Sequence, residues 1–187
     1  MYRYSYAQYP WPSQQNWNSY AWGYAWNPYA YNWNAEYQNN GRTSYARVIE
    51  LKDYGPQPLV VDLEDAAEQN NHYRTTLWTG KHLQVTLMSI NAGDDIGLEV
   101  HPNTDQFIRI EEGQGLVQMG DTRENLNFRR AAHEGDAILI PAGKWHNVTN
   151  TGYKPLKVSV IYAPPEHPFG TVHRTKAEAT AAESIGR

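Results

Sequence analysis

From Thr75 to Ala163 the apolar residues come in short runs, and every run stops at turn-forming residues. The runs are TTLW (75–78), HLQVTLMSI (82–90), QFIRIEEG (106–113), GLVQM (115–119), AILIPA (137–142), HNVTN (146–150) and LKVSVIYA (156–163). Thr79-Gly80, Asn91-Ala92-Gly93, Gly113-Gln114-Gly115, Gly120-Asp121, Gly135-Asp136 and Thr151-Gly152 punctuate them. Many short strands at steady spacing, with no long helical pattern among them, predict an all-β antiparallel sandwich or barrel. Two aliphatic runs precede these, VIEL at 48–51 and LVV at 59–61, and their exposed edges suit pairing with a second copy. Asp62, with Asp65 three residues on, offers an N-cap to a short helix over DLEDAAEQ that ends at Asn70-Asn71. RTKAEATAAES (174–184) has helix-favouring composition and predicts a C-terminal helix.

The composition breaks sharply near residue 40. Residues 1–40 hold 14 of the 24 aromatics of the 187-residue chain, nine Tyr and five Trp, and no Leu, Ile or Val. Without aliphatic groups to pack, little offsets the conformational entropy of such a segment. The expectation is a low-complexity tail, disordered alone, whose Tyr and Trp act as stacking groups for self-association or docking. Residues 41–187 then form the folded domain, with a barrel over about residues 75–163. The chain has no cysteine, which excludes disulfides, thiolate metal sites and Cys nucleophiles. A net charge of −4 argues against a nucleic-acid partner, and no apolar stretch suits a membrane span. MYRYSYAQYP has no apolar region of the signal-peptide kind, so a cytoplasmic location is expected, with a spore coat or cell surface as the alternative.

Two segments concentrate the chemistry: GDDIGLEVHPNTDQFIRIEEG (93–113) and GDAILIPAGKWHNVTN (135–150). Glu99 and His101 are two apart on an expected strand, so their side chains leave one face. Pro102 lacks an N–H and closes that strand. Gln106 opens the next strand, and Asp105 beside it should face the other way. The Pro141-Ala142-Gly143 turn delivers His146 to the strand after it. A hairpin pair of this shape can bring Glu99, His101, Gln106 and His146 to one spot.

These segments resemble the two signature motifs of the cupin family. Gly93, His101 and Gly113 stand where the first motif has its glycines and second histidine, with Glu99 in place of its first histidine and Gln106 in place of its glutamate. Gly135, Pro141, Gly143, His146 and Asn150 match the second motif throughout. The resemblance implies a double-stranded β-helix, a jelly-roll barrel of six to eight antiparallel strands, with a divalent metal near its mouth. It implies Glu99, His101, Gln106 and His146 as metal ligands and a homodimer as the usual assembly. Two imidazoles, one carboxylate and one amide oxygen suit Mn, Fe, Co, Ni or Zn better than Cu(I). Some small cupins acting on uronic-acid sugars resemble this chain in having Gln at that point.

Other residues carry weaker signals. Trp78 and Trp145 read as core or rim packing, and Arg109, between Ile108 and Ile110, as outward-facing. Asp94-Asp95 and Glu111-Glu112 read as solvated turn charges. The Pro-rich PPEHPFGTVHRTK (164–176) reads as a linker to the last helix, with a lid across the mouth as the alternative. The roles of His82, His167 and His173 stay open. No GxSxG, P-loop, GxGxxG or HExxH occurs.

Three functions compete on this reading. One is a metal-binding cupin that binds or acts on a small oxygen-rich molecule, a sugar or an oxyacid, as an isomerase or oxygenase. The second is a non-catalytic structural or coat-type protein whose aromatic tail drives assembly. The third is a sugar-binding module without turnover.

Overall fold

A computed structural model of the chain describes residues 48–185. The aromatic segment 1–40, with its expected disorder and self-association, lies outside the described residues. The fold is all-β and antiparallel, as the run spacing predicts, and is the double-stranded β-helix that the motif resemblance implies. Helix α1 (Leu63–Gln69) leads into strands β1 (Arg74–Thr79), β2 (Gln84–Ile90), β3 (Asp105–Glu112), β4 (Gln114–Gly120), β5 (Phe128–His133), β6 (Ala137–Ile140), β7 (Trp145–Asn150), β8 (Leu156–Ala163) and β9 (Val172–His173), and helix α2 (Lys176–Ile185) follows. One sheet has six strands in the order β6-β3-β8-β2-β1-β9; the other has three in the order β5-β4-β7.

The core lies between the sheets. Met88, Ile90, Ile108, Ile110, Val158 and Val160 from the larger sheet meet Val117, Met119 and Val148 from the smaller. Each such side chain stabilises the fold by about 1.5–3 kcal/mol when fully removed from water. Strand alternation explains the selection: on β2, Thr86, Met88 and Ile90 point inward, while Leu87 points to the outer face. There Leu87 and Leu77 meet Ala66 and Ala67 of α1. β8 is central, between β3 and β2, and is buried along most of its length. α1 starts where its sequence predicts, because Asp62 accepts from the backbone N–H groups of Glu64 and Asp65.

Several expectations need correction. The runs at 48–51 and 59–61 form no strand within the chain. Their inward side chains, Ile49, Leu51 and Val61, pack as irregular chain on the α1 cluster, while Val60 is fully exposed. β5 (FRRAAH) lacks an apolar alternation because it is an outer edge strand with Ala132 alone buried, so only its pairing with β4 reveals it. Glu111 is not a solvated turn charge. It sits fully buried within β3, bound by Arg109 and by the Ser159 hydroxyl. Asp94 and Asp95 are half-buried and both pair with Lys176 of α2. Arg109 does reach outward, with part of its side chain exposed.

Candidate metal centre

Three of the four expected ligands meet at the barrel mouth. Glu99 and His101 lie on irregular chain rather than on the strand expected for them; a single antiparallel bridge joins Glu99 to His146 on β7. Two backbone bonds hold that bridge, Glu99 N to the His146 carbonyl at 3.1 Å and His146 N to the Glu99 carbonyl at 2.9 Å. Gly143 turns the chain between β6 and β7 at φ 79°, a conformation that favours glycine, and its N–H donates to the His101 carbonyl at 2.9 Å. The Pro-x-Gly turn therefore fixes both histidines in one step. Asn150, the last residue of the second motif, has a structural task. Its amide donates to the carbonyls of Ile90 and Lys154, at 2.9 and 2.8 Å, and ties β7 to the ends of its neighbours.

Glu99 Oε1 stands 3.3 Å from His101 Nε2 and 3.2 Å from His146 Nε2. One ligand atom from each of Glu99, His101 and His146 lies within 4.8 Å of the other two, so one ion could be held by all three. The opposite ring nitrogens are both committed. His146 Nδ1 lies 2.9 Å from the Lys144 carbonyl, and His101 Nδ1 lies 3.0 Å from Glu166 Oε1. Nδ1 must then be the donor in each ring, and Nε2 is the atom turned to the cluster.

Gln106 is 3 % exposed, and neither atom of its amide has a hydrogen-bond partner among the described residues. It stands opposite Tyr162 in the β3–β8 register. The Tyr162 ring meets His101 edge-on at 5.6 Å between centroids. Asp105 faces away from Gln106 and accepts from the Ala142 N–H.

The charges interlock. Burial opposes ionisation of Glu99, yet hydrogen bonds and charge from His101 and His146 hold its carboxyl well below the usual range. Burial likewise works against His101, but Glu166 and Glu99 on either side raise it to about 9. The hydrogen bond from His101 lowers Glu166 in turn.

The segment from Pro164 to Thr175 is no plain linker. It runs along the mouth and helps to line a cavity of ≈ 450 Å³ with Glu99, His101, Glu166, His167, His173 and Glu183. Gln84 holds it in place: its side-chain oxygen accepts from the His167 N–H and its amide donates to the His167 carbonyl, at 2.9 and 2.8 Å. Asp53 accepts from Gly170 N at 3.0 Å. His167 packs edge-on against Tyr162 at 5.0 Å, and burial, aided by Arg74, depresses it to about 3. His173 also lines the cavity, whereas His82 is exposed in the β1–β2 turn and takes no part. Trp78 donates to the Gln57 carbonyl and Trp145 lies beside Arg123, so both pack at the periphery.

Sequence reasoning missed Arg74, Tyr162 and Glu166. Glu166 and Tyr162 carry no motif. Arg74 left none either, because RTTLWT has no apolar alternation and is buried on four consecutive residues.

A double-stranded β-helix with this histidine-bearing mouth is the architecture of the cupins, and the chain belongs to that family. The family's cupin-domain model matches residues 86–162. The chain is 62 % identical over 143 residues to the uncharacterized protein YrkC of Bacillus subtilis (strain 168), covering 76 % of this chain and 77 % of that one. It is 40 % identical over 119 residues to the uncharacterized protein L612 of Acanthamoeba polyphaga mimivirus, covering 62 % of this chain and 71 % of that one. The crystal structure of BH2720 from Bacillus halodurans is similar at a TM-score of 0.69 and 62 % identity, covering 70 % of this chain and 98 % of that one. Among the described residues no helix is long and apolar enough to cross a membrane.

Proposed function

We propose that the chain is a divalent-metal cupin that takes a small oxygen-rich molecule, a sugar or an oxyacid, into the mouth cavity. Glu99, His101, Gln106 and His146 would hold the ion. The observation that carries this reading is the shared orientation of the two imidazoles. Each spends Nδ1 on a protein acceptor and turns Nε2 to the same carboxylate oxygen of Glu99. The unpartnered, buried amide of Gln106 supports it as the fourth ligand, since such a group is costly unless something binds it.

The donor set fits Mn, Fe, Co, Ni or Zn. A bound ion of this kind polarises a ligand oxygen as a Lewis acid. The protein's own groups do the rest. Glu166 and the Lys144 carbonyl fix the ring planes and tautomers. Tyr162 packs edge-on against His101, and residues of the Pro164–Thr175 segment line the cavity beside it.

The test is elemental analysis of the full chain, grown in metal-supplemented medium, beside His146→Ala and Glu99→Gln. About one equivalent of metal in the wild type, and a loss of most of it in either folded variant, is the expected result. Wild-type protein without metal overturns the reading.

A further inference from the structure

A second cation lies deep in the barrel. Arg74 opens β1, pairs in register with Met88 of the core and is 1 % exposed. Burial works against its charge, while Tyr162, Glu99, Tyr73 and Glu183 around it raise its pKa. Its field reaches the cavity wall, because Arg74 adds to burial in lowering both His167 and His173. Yet the guanidinium is under-used. Nη1 donates to Glu183 Oε1 at 3.1 Å, and Nε, buried, has no partner among the described residues. Glu183 itself comes from the last turn of α2, with a side chain 47 % exposed, and lines the same cavity as Glu99 and His101.

A guanidinium offers a planar fork of donors that matches a carboxylate with two parallel bonds. Glu183 meets the guanidinium through one oxygen on Nη1 alone, with a side chain 47 % exposed, so neither two-donor edge of the fork carries a bidentate partner. We propose that Arg74 is the anchor for a ligand carboxylate, and that Glu183 occupies it in the free protein until the ligand displaces it. This rests on the metal-site reading for the other end of the ligand. With a carboxylate on Arg74 and further oxygens toward Glu99, His101 and His146, the substrate class narrows to small hydroxy- or keto-carboxylic acids. A cavity of ≈ 450 Å³ is ample for one; Glu183 lines it and Arg74, which does not, stands behind Glu183 at the 3.1 Å contact, so the ligand reaches Arg74 by taking the place of Glu183. α2 then acts as a built-in competitor. It is held to the barrel by Lys176 at one end and by Glu183 near the other.

The test is calorimetric titration of the full chain with glycolate, using ethylene glycol as the control without a carboxylate. Wild type, Glu183→Gln and Arg74→Lys are compared, each with manganese and again with chelator, and manganese content is measured separately. If Glu183 occupies Arg74 about nine-tenths of the time, removing it strengthens glycolate binding by about tenfold. The diol is unaffected. Arg74→Lys keeps the charge but not the fork and weakens glycolate binding. Glu183→Gln, at a part-exposed position, carries the test should Arg74→Lys misfold. A glycolate gain for Glu183→Gln in chelator supports the anchor even where no manganese binds, so the two readings fail separately. Equal glycolate binding by wild type and Glu183→Gln, with or without metal, shows a merely structural ion pair and overturns the proposal. No glycolate binding by either protein overturns it too.

Discussion

Replacing Gln106 by Leu separates the metal-ligand role of this residue from a packing role. The side chain is 3 % exposed, both amide atoms lack partners among the described residues, and its strand neighbours Ile108 and Ile140 belong to the core. Leu is close to Gln in volume and removes both unmet groups. Each unmet buried polar group costs roughly 1–3 kcal/mol, so a net gain of about 2 kcal/mol is expected for the metal-free variant. For a chain of this size that is roughly 4–8 °C in Tm. Manganese narrows the difference. At a hundred times Kd it stabilises the wild type by about 2.7 kcal/mol. A ligand loss that weakens binding by about 10–100-fold cuts this to about 1.4–0.4 kcal/mol at the same concentration. Urea melts should therefore differ by about 2 kcal/mol in chelator and by less than about 1 kcal/mol with manganese. A variant less stable than wild type in chelator means that the amide is already satisfied in the protein. An undiminished manganese stabilisation removes Gln106 from the ligand set.

Other perturbations test the frame around the site. Ile110→Ala, at a wholly buried core position, should cost about 2–5 kcal/mol in urea unfolding; a cost below about 1 kcal/mol contradicts the packing described. Asp62→Ala removes the side chain that caps α1 and should cost about 1 kcal/mol, read as a lower denaturation midpoint with unchanged slope. A hydrogen bond from Lys176 holds Asp94 below the usual carboxylate range, and Lys176 also lowers Asp95 although burial pushes that group upward. Carboxyls depressed in the folded state stabilise above their unfolded pKa of about 3.9, and that stability is lost as pH falls below it. α2 should thus become sensitive to proteolysis below about pH 4, and Lys176→Met should flatten the change between pH 6 and pH 3. An equally steep acid response in the variant rules out this anchor.

The barrel was legible in the sequence because its strands announce themselves by composition and spacing. β2, β3 and β8 carry alternating or continuous apolar runs, and β-branched and aromatic residues fill them. β5 was hidden for the opposite reason. An edge strand with one buried residue has no pattern to display, and its existence depends on hydrogen bonds to β4. At the site, the motif spacing singled out Glu99, His101, Gln106 and His146, and the Pro-Ala-Gly turn is local geometry; the strand expected for Glu99 and His101 is replaced by irregular chain held by one bridge to His146. The surroundings were not readable. Glu111 looked like one of two turn charges, and only the meeting of β3 with β8 brings Ser159 to it.

What the chain determines by itself is periodic and local: the β architecture, the capped helix, the turn glycines and the residue types that can take a metal. Tertiary structure alone decided which distant groups serve them. Glu166 reaches His101 from 65 residues away in sequence, and Glu183 reaches Arg74 across 109. Such pairs leave no periodic trace, because a hydrogen bond or ion pair constrains two atoms in space and nothing about the residues between them.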